Sequence, residues 1–126
     1  GRTFYNDSKS TNVKSTQIAL NTFHNPTVLL LGGLDRGHSF DELEPYMTNV
    51  KAIVCYGETR ERIYEFAKRI GKDCFVCQNL IEATHKAYEQ SDRGDTILLS
   101  PACASWDQYK SFEDRGNEYK KVVNEL

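Results

Sequence analysis

No stretch of this sequence stays apolar for long. The longest runs are short: Val28–Leu31, which ends in two glycines, and Ala52–Tyr56. A bilayer span needs about 20 such residues, so no membrane partner is expected. Gly1 to Ser10 is polar and has no apolar h-region, so no secretory signal is expected. A basic excess is missing too. Lys and Arg total 16 against 18 Asp and Glu, a net charge of −2, which points away from nucleic acid and the clustered basic surface it requires. The expectation is a cytoplasmic, monomeric domain spanning residues 1–126, long enough to bury a real core.

Cysteines are few: Cys55, Cys74, Cys77 and Cys103. Without a secretory context they do not make a disulfide framework. Cys74 and Cys77 spell C-x-x-C, but a redox pair of that kind needs its first cysteine at an exposed helix N-terminus. Here the pair lies in a short apolar run that reads as a strand. Residues three apart in a strand face opposite sides of the sheet, so these sulfurs cannot meet. His24, His38 and His85 are scattered and add no metal-ligand spacing. We therefore expect no metal site and buried thiols.

What the sequence does have is alternation. Apolar, partly β-branched runs at Arg2–Tyr5, Val28–Leu31, Ala52–Tyr56, Phe75–Cys77 and Thr96–Leu99 are separated by segments of helical periodicity. Asn12–Asn21 puts Val13, Gln17 and Leu20 near one face; Arg60–Ile70 does so with Ile63, Phe66, Ala67 and Ile70. Leu80–Tyr88 and Phe112–Leu126 repeat the pattern. Thr59 and Asn79 stand where helix caps belong, and Gly71 where a helix ends. Strands apolar throughout, each followed by a helix, predict an α/β fold: a Rossmann-like open, mostly parallel sheet with helices on both faces.

Such sheets bind ligands beyond the carboxyl ends of their strands, which directs attention to the loops there. The first, Asn6 to Asn12, sets Asp7, Lys9 and several hydroxyls before a helix, where an anion is favoured. The plainer reading is that Thr11 or Asn12 caps that helix and Lys9 is solvated. The second, Gly32-Gly33-Leu34-Asp35-Arg36-Gly37-His38, has glycines that allow close backbone approach but lacks the Gly-Lys-Ser/Thr of a P-loop. Arg36 in it is either a bidentate carboxylate partner or a turn arginine on the surface. The third, Ser100-Pro101-Ala102-Cys103-Ala104-Ser105-Trp106-Asp107, exposes backbone N–H groups and a serine hydroxyl. Cys103 has no histidine near it in sequence, which argues against a nucleophile. Trp106, Tyr109 and Phe112, three residues apart, read as core rather than as a stacking platform.

Together, Asp7-Ser8-Lys9-Ser10-Thr11-Asn12, the Gly32–Gly37 loop, Ser100–Asp107 and Phe112-Glu113-Asp114-Arg115-Gly116 resemble, in the same order, the C-terminal domain of the Mur ligases. The resemblance spans the whole chain and narrows to members that add D-glutamate to UDP-N-acetylmuramoyl-L-alanine. It implies an ATP-dependent, amide-forming ligase of peptidoglycan synthesis that works through an acyl phosphate. ATP and Mg2+ would be held mainly by a central domain, and the UDP-sugar by a first domain, both outside these residues. It implies that Asp7 touches the ATP ribose and that Lys9, the catalytic cation, meets the phosphate. Thr11 and Arg36 would take one carboxylate of D-glutamate; Ser105 and the backbone near Phe112 would take the other, with Trp106 lining the pocket. Arg115 and Gly116 read as packing residues.

The nearest alternatives are the same domain of another Mur-type ligase or of a folylpolyglutamate synthetase. A standalone Rossmann-like binding module fits less well. A receiver needs an aspartate after its third strand and a lysine after its fifth, where Tyr56-Gly57 and Ser100-Pro101 stand. A dinucleotide binder needs its glycine fingerprint where Asn6-Asp7-Ser8 stands.

Overall fold

The computed structural model describes residues 1–126. Five strands form one sheet: β1 (Thr3–Asn6), β2 (Thr27–Gly32), β3 (Val50–Tyr56), β4 (Asp73–Val76) and β5 (Thr96–Leu99). Their order is β1-β5-β2-β3-β4, and every pairing is parallel. Parallel neighbours require crossovers, and helices supply most of them. These are α1 (Val13–Thr22), α2 (Arg60–Ile70), α3 (Leu80–Gln90) and α4 (Phe112–Asn124), with a 3-10 helix over Asp41–Tyr46 between β2 and β3. The expected Rossmann-like architecture is present, and the sheet is wholly rather than mostly parallel.

The period of two sorts each central strand between two cores. Leu29, Leu31, Ile53, Cys55 and Leu98 pack with α1, the 3-10 helix and α2 on one face. Val28, Leu30, Ala52, Val54, Ile97 and Leu99 pack with α3 and α4 on the other. Both faces are therefore covered, which is why these strands are apolar throughout. Cys74 packs on the first face and Cys77 sits in the second core, so the two sulfurs of C-x-x-C are on opposite sides of the sheet. Cys74 instead lies with its sulfur 3.6 Å from that of Cys55 on the next strand, and is itself only half-buried.

On α1 the expected face holds: Leu20 is buried, and Val13 and Gln17 are half-buried. Thr16 is buried as well, because its hydroxyl donates to the Ser100 carbonyl (3.1 Å) and so can be buried without loss. Three expectations are corrected. Thr59 does not cap α2: its backbone is helical and its hydroxyl donates to Gly33 O (3.3 Å). Strands β1 and β4 sit at Thr3–Asn6 and Asp73–Val76 rather than Arg2–Tyr5 and Phe75–Cys77, because register with β5 and β3 decides where pairing starts. Finally, Trp106 and Phe112 are not core residues; they are 63% and 40% exposed, and only Tyr109 packs against the sheet's second core.

Other punctuation holds. Asn12 and Asn79 accept from Ser15 N and Glu82 N at the starts of α1 and α3, and Gly71 ends α2 at φ 75°. No helix is long and apolar enough to cross a membrane.

Candidate functional site

The carboxyl ends of β1, β2, β3 and β5 converge, and a buried arginine ties their loops together. Arg115 on α4 is fully buried. Its Nε donates to Ser8 Oγ (2.9 Å), one terminal nitrogen to Ser8 O (2.6 Å) and the other to Cys103 O (2.8 Å). One side chain thus fixes the loop after β1 to the loop after β5. Gly116 lets α4 approach: a Cβ there would stand 3.0 Å from the Asn6 amide and 3.2 Å from Ser8 Cβ. The packing role expected of this pair is what the structure displays.

The glycine loop after β2 is fixed in a different way. Gly33 sits at φ 143°, and a Cβ on it would be 2.3 Å from the Ala104 carbonyl oxygen. Leu34 N then donates to that same carbonyl (2.8 Å). Arg62 of α2 grips the loop from outside, donating to both Asp35 oxygens (3.1 and 3.0 Å) and to His38 O (2.6 Å). This hydrogen bonding holds the Asp35 carboxyl below its ordinary value. Arg36 is therefore offered from a braced loop. It makes no ion pair, and its guanidinium carbon lies 5.0 Å from the centre of the Trp106 ring.

Between these loops lies a cavity of about 390 Å³ lined by Thr11, Arg36, Ser105, Trp106 and Phe112, with Ala104, Ser111 and Glu113. All five residues expected to hold the amino acid line this one cavity. Ser105 is 2% exposed, and its hydroxyl has no protein partner. At the same wall α4 begins, capped by Ser111, whose hydroxyl accepts from Asp114 N (3.1 Å). The N–H groups of Phe112 and Glu113 stay unpaired and carry the positive end of a 13-residue helix. The cavity has a cation on one side and a hydroxyl with free amides on the other. That suits two anionic groups.

Asp7 and Lys9 lie beside this cavity rather than in it. They line a groove of about 560 Å³ running along Tyr5, Ile18 and Phe23. Lys9 also lines a smaller hollow with Phe112 and Glu113, two residues that line the first cavity as well. Asp7 is oriented: its Oδ2 accepts from Ser10 Oγ and from Ser100 Oγ (2.8 Å). Lys9 is exposed and pairs with nothing.

Sequence reasoning missed Ser10 and Ser100 as holders of Asp7, and Arg62 as the brace of the glycine loop. Only contacts distant in sequence reveal those. The start of α4 did carry a signal, Ser111 followed three residues later by Asp114, which is a helix-start pattern. Cys103 does gain a histidine in space, with His38 Nε2 at 3.7 Å. Yet that thiol is fully buried, and burial pushes it up to about 11, so it is no nucleophile at neutral pH.

A family model described as Mur ligase, glutamate ligase domain, matches residues 1–103. The chain is 56% identical, over its whole length, to a UDP-N-acetylmuramoylalanine–D-glutamate ligase of Listeria monocytogenes serotype 4b (strain F2365). It is 54% identical, over 99% of its length, to the ligase of the same description from Bacillus cereus (strain AH187). It spans 28% of the length of each of these relatives. Among solved structures it resembles UDP-N-acetylmuramate–alanine ligase from Thermotoga maritima, with TM-score 0.58 and 12% identity over 90% of this chain and 25% of that one. That likeness is one of fold.

Proposed function

We propose, because this chain belongs to the Mur ligase family and forms its glutamate ligase domain, that it binds the incoming amino acid for an ATP-dependent ligase. The reaction joins D-glutamate to UDP-N-acetylmuramoyl-L-alanine in cytoplasmic peptidoglycan synthesis. The observation that carries this reading is the cavity uniting Thr11, Arg36, Ser105, Trp106 and Phe112. The names of relatives 54–56% identical to the chain support the choice of D-glutamate.

In this reading Arg36 and Thr11 take one carboxylate, and the Trp106 ring lies against the planar guanidinium. The Ser105 hydroxyl and the free N–H groups of Phe112 and Glu113 take the other. Asp7 fits a ribose: Oδ2 is held by two serines, leaving Oδ1 to accept from a sugar hydroxyl. Lys9 fits a phosphate, since its ammonium is exposed and unpaired on the adjoining wall. ATP supplies the phosphoryl group that activates the receiving carboxylate. No three His, Cys, Asp or Glu side chains are grouped to hold a metal, so we place the accompanying Mg2+ outside these residues, with most of the nucleotide and the UDP-sugar.

Titrating the 15N-labelled chain with D- and L-glutamate tests the reading. D-Glutamate is expected to shift the amides around Arg36, Ser105 and Phe112 at lower concentration than its enantiomer. In the enzyme that carries this domain, competition among amino acids is expected to favour D-glutamate. A preference there for a neutral or dibasic amino acid would remove the assignment.

A further inference from the structure

The cavity of Arg36 and the hollow of Lys9 have two lining residues in common, Phe112 and Glu113. Glu113 is the one acidic residue in either lining, is exposed, and enters no ion pair. Everything else polar around the first cavity is a cation, a hydroxyl or a free amide. Such a cavity attracts any dicarboxylate, with or without an amine. Ser105 lines this cavity, and no protein group hydrogen-bonds its hydroxyl, so a ligand oxygen can pair with it.

We propose that Glu113 receives the ammonium of the α-amino dicarboxylate bound there, selecting amino acids over plain diacids and aiming the nitrogen toward the Lys9 side. This rests on the site reading above and deepens it. The geometry favours it in one respect above all. An amide-forming nitrogen must leave the carboxylate cavity in the direction of the phosphate-binding cation, and Glu113 borders both spaces. A carboxylate in a first helical turn also steadies the helix dipole. Asp114, the next residue, offers the same charge to α4 but lines neither cavity, so it separates the two roles.

The test compares D-glutamate with glutarate, which keeps both carboxylates and lacks the amine, by NMR titration of the chain at neutral pH. The unaltered chain is expected to bind D-glutamate more tightly than glutarate. In Glu113→Gln that preference should fall by about threefold, the scale of a partly exposed ion pair. Glu113→Asp should recover part of it, and Asp114→Asn should leave it unchanged. Shifts from both ligands with an unaltered ratio in Glu113→Gln would overturn the role of Glu113 alone. An equal fall in Asp114→Asn would do the same, by assigning the effect to the general field of the helix. If neither ligand moves the amides of Arg36 and Ser105, the site reading falls and this inference with it.

Discussion

Arg36 and Arg115 show how differently one side chain is used at the same end of the sheet. Arg115 is buried with no carboxylate partner; carbonyl and hydroxyl oxygens alone satisfy it. Its replacement by methionine leaves the carbonyls of Ser8 and Cys103 unpaired in the interior, at a cost of about 3 kcal/mol. Thermal denaturation of Arg115→Met should show that loss, and lysine, lacking the fork, should restore little of it. Arg36 is the opposite case, exposed and unpaired against Trp106. Arg36→Ala should leave the melting temperature within about 2–3 °C, since exposed changes of this kind seldom exceed about 0.5 kcal/mol. It should weaken D-glutamate binding about tenfold, the low end for a charge-assisted pair in contact with solvent. A titration of that variant with unchanged affinity would take Arg36 out of the site.

Elements are where the sequence was most readable, and where its limits are clearest. The four helices and five strands announce themselves by period, because two faces of one sheet must each be buried. The ends of β1 and β4 did not, since a four-residue edge strand is placed by its neighbour's register. Thr59 looked like a cap, but the Gly33 carbonyl competes for its hydroxyl. Trp106 and Phe112 had core spacing, yet they flank a cavity, and periodicity cannot tell a core from a pocket wall. At the opposite end of the sheet, Asp95 begins β5's approach and accepts from Lys51 Nζ (2.7 Å) and Asp92 N (2.7 Å). Burial alone would raise its pKa, but these bonds outweigh that and leave it below the ordinary value. A lowered carboxyl contributes stability that is whole above the unfolded value, about 4, and is lost as pH falls through the folded one. Asp95→Asn should therefore cost about 1–2 kcal/mol at pH 7. In denaturant titrations against the unaltered chain, that difference should shrink steadily as the pH is lowered below about 4.

At the scale of the molecule, every proposed contact lies on one rim, and that rim is open. The cavity has walls from the loops after β1, β2 and β5 and from α4, but nothing from this chain covers it. An activated carboxylate survives only where water is kept out, and the phosphate-cradling Gly-Lys-Ser/Thr loop is not among these residues. In the proposed reading, residues braced by Arg62 and Arg115 are held ready as a preformed half-site, and another surface closes over the ligand. Binding to half a site forgoes the contacts of the other half, so D-glutamate affinity for this chain alone should be weak, about 1 mM or worse, equivalent to about −4 kcal/mol. The same chain mixed with ATP, Mg2+, UDP-N-acetylmuramoyl-L-alanine and D-glutamate should release no phosphate above a protein-free control. Sustained phosphate release that depends on all three substrates would mean that these residues hold a complete catalytic centre, and the division of labour argued from the open rim would have to be abandoned.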